Sequence, residues 1–243
     1  MTSVRQAAVA GTFYPNDRNE LDVAVQYYLL QATPNVGAAP KAIIAPHAGY
    51  IYSGPMAAEA YATLRSARDV IRRVILLGPC HRVALQGLGL PSVDFFHTPL
   101  GDIPIDKIAT KKILSLAQVQ TFDATHELEH SLEVHLPFLQ VVLDDFTLIP
   151  MVVGSASAEQ VAEVLEELWG GPETIIVISS DLSHYLDYDT AQKLDASTSI
   201  AIENFNFADI KREQACGRIP MSGLLSVAKH RGMRVETLGI CNS

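Results

Sequence analysis

The chain has 243 residues, of which 48% are hydrophobic and 19% are charged. A chain of this length and hydrophobic content can bury a substantial core, which excludes global disorder. Its net charge of -9 and its scattered basic residues argue against a nucleic-acid binder, because phosphate contacts need clustered Lys and Arg. No apolar run reaches the roughly 18 to 20 residues that span a bilayer. Three widely spaced cysteines match neither a disulfide framework nor a CxxC zinc pattern, so we expect a soluble, cytoplasmic protein.

Short apolar runs alternate with segments of helical periodicity along the whole chain. In chain order the pattern predicts a helix over 20–30, a strand over 42–45, a helix over 53–64, a strand over 73–77, helices over 106–116 and 129–143, a strand over 147–153, a helix over 157–169, a strand over 175–178, helices over 190–205 and 220–230, and a strand over 234–240. No linker or repeat interrupts this alternation. We therefore predict one α/β domain over residues 1–243, with a central mixed, mostly parallel sheet flanked by helices.

Four of the predicted strands end next to side chains that bind metals or carry protons. The first strand leads to His47, the second to His81, the third to Asp181 and His184, and the fourth to Cys241. Continuously apolar runs are typical of strands buried on both faces of a parallel sheet. The functional crevice of such a sheet lies outside the carboxyl ends of its strands. The sequence therefore predicts a metal site or an acid/base site at this edge.

His47 and His81 are the first candidates for metal ligands, because they occupy equivalent places after two strands. The third ligand stays open between Asp181 and Cys241, and such a set suits Fe(II), Zn(II) or Mn(II). His184, with Asp181 as a nearby acceptor, is the candidate for proton transfer. The plainer alternatives are a hydrogen-bonded loop histidine and, for Cys241, a small buried residue.

Residues 126–130 read His-Glu-Leu-Glu-His and match the HExxH pattern of helical zinc peptidases. That pattern works only inside a firm helix, and the preceding residues 121–125 lack helical periodicity. The better predicted helix begins near Glu129. We therefore predict that His126 and His130 do not share a metal, and a zinc peptidase remains a minor alternative. Tyr50 and Tyr52 either pack in the core or form an aromatic wall beside the metal.

Several motifs together resemble the Memo family, whose bacterial and archaeal members are called AmmeMemoRadiSam system protein B. The match runs from residue 9 to the C-terminus. The motifs are Ala45-Pro46-His47-Ala48-Gly49-Tyr50 with Tyr52-Ser53-Gly54, Gly78-Pro79-Cys80-His81, Glu129-His130-Ser131-Leu132-Glu133, Leu136-Pro137-Phe138-Leu139, Ser179-Ser180-Asp181-Leu182-Ser183-His184-Tyr185 and Cys216-Gly217-Arg218. Among the departures from the family pattern, His135 stands where glutamine is usual.

The resemblance implies a fold similar to that of class III non-haem iron extradiol dioxygenases. It implies that His47 and His81 hold the metal, with iron expected and copper or zinc as alternatives, and that His184 is the acid/base. We take four further residues as candidates for binding substrate: Tyr50, Tyr52, His130 and Glu133. In eukaryotic members the resemblance implies a cysteine near the C-terminus as third ligand. Its equivalent would fall beyond Ser243, together with a strand of the family.

Two classes of function follow from the resemblance. The first is a Memo-type, dioxygenase-like protein with a mononuclear metal and redox or oxygenase-type chemistry on an unidentified substrate. The second is a non-catalytic binding module that grips a peptide or a partner protein in the same crevice. The family name also implies association with a radical SAM enzyme and an AMMECR-type protein.

Overall fold

Two sheets form the framework of the molecule in the computed structural model, which describes residues 2–33 and 37–241. The strands in chain order are β1 (Val4–Arg5), β2 (Ala42–Ala45), β3 (Arg73–Pro79), β4 (Leu88–Leu90), β5 (Phe95–Thr98), β6 (Gly101–Pro104), β7 (Val119–Thr121), β8 (Thr147–Val153) and β9 (Thr174–Ser179). Six of them make the larger sheet, in the order β2-β9-β3-β8-β4-β7, and β1-β5-β6 make the smaller one. The two chain ends of the predicted domain, Met1 and residues 242–243, lie outside the described residues.

The helices cover the larger sheet on both sides. They are α1 (Arg18–Gln31), α2 (Tyr50–Ala62), α3 (Lys107–Ile113), α4 (Ala124–Glu127), α5 (Leu136–Val142), α6 (Ala158–Leu168), α7 (Tyr188–Glu203) and α8 (Arg218–His230). Side-chain N-caps fix several starts: Asp17, Asp106 and Asp187 each accept a backbone N–H of the first turn. Ser157 and Gln160 form a capping box at α6. Within the described residues no helix is long and apolar enough to cross a membrane.

The central strands are apolar throughout because both of their faces are buried. In β3, Val74 and Leu76 belong to the core that α1, α2 and α5 cover. Ile75 and Leu77 point the opposite way, into the core under α6 and α8. Strands β2, β9, β3 and β8 pair in parallel, and β4 is antiparallel to β8. The predicted α/β domain with a mixed, mostly parallel sheet is confirmed.

The strand predicted over 234–240 does not form. This segment has no strand pairing and is held by Thr237, whose backbone N–H donates to Glu203. Leu238 and Ile240 are 50% and 44% exposed. The prediction failed because alternate residues, among them Arg234 and Glu236, are charged and cannot enter a sheet buried on both faces.

The helix predicted over 129–143 is also shorter than expected. A 3₁₀ turn over Glu133–His135 precedes α5, which has Pro137 in its first turn. Proline is tolerated there because the first N–H groups of a helix have no intrahelical partner. Helix α2 starts at Tyr50 rather than at the predicted Ser53, whose hydroxyl donates to the Ala48 carbonyl instead of capping.

Candidate metal centre

Three neighbouring strands of the larger sheet end at candidate site residues. His47 follows β2, Asp181 follows β9 and His81 follows β3, and β9 lies between the other two strands. The ring centroids of His47 and His81 are 5.2 Å apart. The structure thus brings both predicted metal histidines to one edge, as parallel strands require. Metal binding by this pair stays a prediction.

Cys216 joins the two histidines. Its Sγ lies 3.4 Å from Nε2 of His47, and the ligand atoms of His47, His81 and Cys216 all lie within 4.8 Å of one another. A Cβ on Gly217 would stand 2.4 Å from the Ser179 carbonyl oxygen. Only glycine therefore lets the start of α8 pass so close to the end of β9, and this approach delivers Cys216 to the crevice.

Asp181 stands beside this group as an anchor. Its Oδ1 accepts the backbone N–H of His47 at 2.7 Å, and its own backbone N–H donates to Cys216 Sγ at 3.3 Å. Its Oδ2 lies 3.7 Å from His47 Nε2. Neither group of metal-competent side chains found among the described residues includes Asp181. The residue is therefore at the predicted place, and it positions two neighbours.

Cys241 is not part of the group formed by His47, His81 and Cys216, which we call the crevice group. It is an exposed thiol in the extended segment that follows α8. The two metal-competent groups of the described chain do not contain it. Its predicted placement was wrong because the strand that would have carried it to the sheet edge does not form. Sequence analysis missed Cys216 instead, although a cysteine directly before a glycine at a helix start was the available signal.

The tautomer of His47 follows from its hydrogen bonds. The Ser179 hydroxyl donates its only proton to the Ser131 carbonyl at 2.6 Å, so it must accept from Nδ1–H of His47 at 2.5 Å. This leaves the lone pair on Nε2, the nitrogen that faces Cys216. Burial, assisted by the nearby His81 and His130, lowers the pKa of His47 well below its usual value. The ring is therefore neutral, as a metal ligand must be.

His81 is held by a carboxylate. Glu129 accepts its backbone N–H at 2.6 Å and its ring Nδ1–H at 2.9 Å. Burial alone would lower the pKa of His81, but hydrogen bonds with Cys216 and Glu129 outweigh burial and raise that pKa to about 9. Burial would raise the pKa of Glu129, but the N–H donors of His81 and Ser131 lower it to about 2. Since Nδ1 is occupied, Nε2 is the ring nitrogen that faces Cys216.

His130 forms a wall of the same crevice. Its ring stacks on His81 at 4.9 Å and meets His47 edge-on at 5.5 Å. Phe13 packs against the same ring at 4.9 Å. The side chain is 18% exposed, so its predicted role in contacting a substrate fits its position.

Two other predicted substrate residues are turned into the core. Tyr50 is 3% exposed, and its hydroxyl donates to the Val134 carbonyl at 2.8 Å. Glu133 is fully buried and accepts hydrogen bonds from Arg5, from Tyr14 and from the backbone of residues 8 and 9. We call Arg5, Tyr14 and Glu133 the buried clamp. Neither Tyr50 nor Glu133 reaches a ligand, so these two predictions need correction; Tyr52, 56% exposed on α2, stays available.

His184 lies at the rim. Its side chain is exposed, and its Nδ1 hydrogen-bonds the Leu182 carbonyl at 2.9 Å. Its role in proton transfer stays a prediction. Burial dominates the lowered pKa of His47, and the charge of His184 contributes the smallest part. The next residue, Tyr185, is fully exposed with φ of 62°, a backbone conformation that is strained for a residue other than glycine. Asp195 anchors this rim by accepting the Ser183 backbone N–H at 2.9 Å.

The HELEH residues do not lie in one helix, as the sequence predicted. Helix α4 ends at Glu127, and Leu128 and Glu129 continue in a turn. His126 is buried, and its Nε2–H donates to the Gly89 carbonyl at 3.0 Å. Burial lowers its pKa to about 4. His126 belongs to neither metal-competent group in the described part of the chain, so nothing supports the zinc peptidase alternative.

The sequence of the chain matches a known protein family. A model of Memo-like proteins matches residues 5–241, a range that contains His47, His81 and Cys216. The chain belongs to the Memo family. A MEMO1 family protein of Aquifex aeolicus is 38% identical to it over 230 residues. The aligned region covers 91% of this chain and 83% of the relative. The chain is 33% identical over 252 residues to Protein MEMO1 of Xenopus laevis, with 92% and 84% covered. A MEMO1 family protein of Methanococcoides burtonii is 33% identical over 250 residues, with 95% and 89% covered.

Proposed function

We propose that this Memo-family chain holds one redox-active metal ion between His47, His81 and Cys216. The supporting observation is the convergence of three ligand atoms within 4.8 Å at the carboxyl edge of the sheet. Both imidazoles use Nδ1 for hydrogen bonds to Ser179 and Glu129, so that both Nε2 atoms are left for the ion. The proposed activity is redox or oxygenase-type chemistry on a substrate that enters this crevice.

The donor set decides which metals fit. Imidazole nitrogens suit iron, copper and zinc, and a thiolate adds preference for soft or borderline ions over magnesium or calcium. We propose iron as the natural metal, with copper or zinc bound by the same three residues. Bound there, iron would supply one-electron chemistry and Lewis acidity. Three protein ligands leave coordination positions open, as catalytic metal sites do.

Residues around the ion would bind substrate and move protons. His184 offers a free Nε2 at the rim, because its Nδ1 is engaged by the Leu182 carbonyl. We assign it the role of proton carrier, a task that histidine performs near neutral pH. We assign substrate contact to the stacked ring of His130 and to the exposed phenol of Tyr52.

Anaerobic purification with elemental analysis tests the metal proposal. The wild-type chain should hold about one metal ion, and His47→Ala and Cys216→Ala should hold far less. Cys241→Ser is the matched control, because it alters an exposed thiol outside the crevice group. Equal metal content in the wild type and Cys216→Ala would contradict the assignment.

A binding module is the second candidate, and exposed aromatic side chains at the rim favour it. Tyr52, Tyr185 and Tyr188 are 56%, 100% and 64% exposed. Such residues are enriched where proteins bind ligands and partners. In this proposal the crevice grips a peptide, a radical SAM enzyme or an AMMECR-type protein. Partner binding that survives Cys216→Ala but is lost in Tyr185→Ala would favour the module over the enzyme.

A further inference from the structure

The two metal-facing imidazoles are held from behind by groups of different charge, a serine hydroxyl and a carboxylate. We propose that Ser179 and Glu129 are positioning residues, not ligands, that fix His47 and His81 with Nε2 toward the metal. This inference rests on the proposed metal site and specifies how the chain prepares it. Three observations support it: the four donors that hold Glu129, the direction of the Ser179 hydrogen bond, and the backbone segment that connects the two groups.

Four hydrogen-bond donors converge on the buried Glu129 carboxylate. It accepts the backbone N–H groups of His81, His130 and Ser131 at 2.6, 3.1 and 3.0 Å, and the ring Nδ1–H of His81 at 2.9 Å. Oε1 accepts three of these donors and Oε2 accepts the backbone N–H of His81, so the carboxylate is held by residues 130–131 and by His81. Its side chain is only 1% exposed. Although Glu129 lies within ligand distance of His81 and His130, we infer that these three residues do not form a second metal site.

Ser179 performs the same task at His47 with a neutral group. Its hydroxyl proton is committed to the Ser131 carbonyl, which forces it to accept from the imidazole. Ser131 in turn donates its backbone N–H to Glu129 and its hydroxyl to the Pro79 carbonyl at 2.8 Å. One turn, residues 129–131, therefore sets the orientation of both imidazoles at once.

The difference in charge between Glu129 and Ser179 predicts that their loss lowers metal affinity to different extents. A carboxylate behind a ligating histidine makes the imidazole a stronger donor than a hydroxyl does, and loss of such partners typically lowers metal affinity about 10- to 100-fold. Glu129→Gln should therefore weaken binding by that factor. Ser179→Ala should weaken it by about tenfold or less, because the lost partner is neutral.

The test is a titration of the metal-free chain with Zn²⁺ against a competing chelator, for the wild type and both variants. Glu127→Gln is the matched control, since Glu127 is exposed and only two residues away. We expect one zinc ion per chain in every case, with affinity falling in the order control, Ser179→Ala, Glu129→Gln. A second readout is the reduction potential of the iron-loaded chain, which should rise in Glu129→Gln and change little in Ser179→Ala, because only the former removes a negative charge near the ion.

The outcomes distinguish a failure of the proposed positioning roles from a failure of the proposed metal site. Zinc binding by the wild type with unchanged affinity in both variants would overturn the positioning roles and leave the metal site standing. Complete loss of zinc in Glu129→Gln with a folded chain would make Glu129 a ligand. Absence of zinc binding in the wild type would overturn the proposed function itself. If Glu129→Gln does not fold, Ser179→Ala decides, because it removes a single oxygen atom.

Discussion

Glu129 and Glu133 lie four residues apart, and both are buried carboxylates that accept four hydrogen bonds, yet they organise different regions. The donors on Glu129 come from His81, His130 and Ser131 around the crevice. The donors on Glu133 come from the N-terminal segment, with Arg5 among them. Burial and the number of donors are thus alike, and the identity of the donors distinguishes a residue that serves the site from one that serves the fold.

Breaking the buried clamp should have the largest effect on stability. Glu133→Ala leaves the Arg5 guanidinium buried without its carboxylate partner, which typically costs about 3 to 5 kcal/mol. Urea denaturation of the metal-free chain measures the free energy of unfolding. Glu127→Ala, on the exposed side of the same region, should change it by less than about 0.5 kcal/mol. A loss of under 1 kcal/mol in Glu133→Ala would show that the clamp does not hold the fold.

The crevice should affect stability only through the metal. An ion at a hundred times its dissociation constant should raise the free energy of unfolding of the wild type by about 2.7 kcal/mol. Cys216→Ala should show little of this gain while unfolding normally in chelator. The measurement is the same urea series with and without Zn²⁺. Equal stabilisation of both chains would place the ion elsewhere.

Acid should weaken the fold through His135, which lies two residues after Glu133. This residue is fully buried against Tyr61, and burial lowers its pKa from about 6.5 to about 3. The His135 imidazole therefore stays neutral in the native state at pH values where it binds a proton in the unfolded chain. The contribution of neutral His135 to the free energy of unfolding is complete above about pH 6.5. It falls as the pH drops toward 3, by about 2 kcal/mol between pH 6.5 and 5.

His135→Gln removes this proton uptake. The variant should lose less stability than the wild type between pH 7 and pH 5. The buried His126, whose pKa is lowered to about 4, stays in place and should preserve part of the acid sensitivity. Parallel pH curves for the two chains would show that His135 is protonated in the native state.

The rim should matter least for binding the ion. His184→Ala removes an exposed side chain that belongs to neither group of candidate ligands among the described residues. We expect the zinc affinity to stay within about twofold of the wild type. The free energy of unfolding should stay within about 0.5 kcal/mol of it. Any turnover should fall by about 10²- to 10⁴-fold, because a proton carrier is lost. A variant that lost zinc would make His184 a ligand.

The sheet and three residues at its edge were predictable, because strands buried inside a sheet are apolar in sequence. Strands β2, β3 and β9 contain the apolar runs 42–45, 74–77 and 175–178, and a polar site residue stands two positions after the end of each strand. Position after such a strand was therefore enough to bring His47, His81 and Asp181 together. The same reasoning failed for Cys241, since the segment before it begins with the charged residues Arg234 and Glu236, which cannot enter a sheet buried on both faces.

The rest of the site depends on contacts that are distant in sequence. Cys216 precedes a helix rather than following a strand, and it reaches the crevice only because Gly217 packs against the end of β9. Glu129 and Glu133 look equivalent in sequence. Arg5, more than a hundred residues away, decides that Glu133 belongs to the fold. No local pattern contains that information.

X-ray absorption at the zinc edge tests the central claim most directly, because it identifies the atoms around the bound ion. The zinc-loaded wild type should show one sulfur at about 2.3 Å and imidazole nitrogens at about 2.0 to 2.1 Å. Cys216→Ser should lose the sulfur signal, and Cys241→Ser should keep it. A wild-type spectrum with nitrogen and oxygen neighbours only would contradict the site formed by His47, His81 and Cys216.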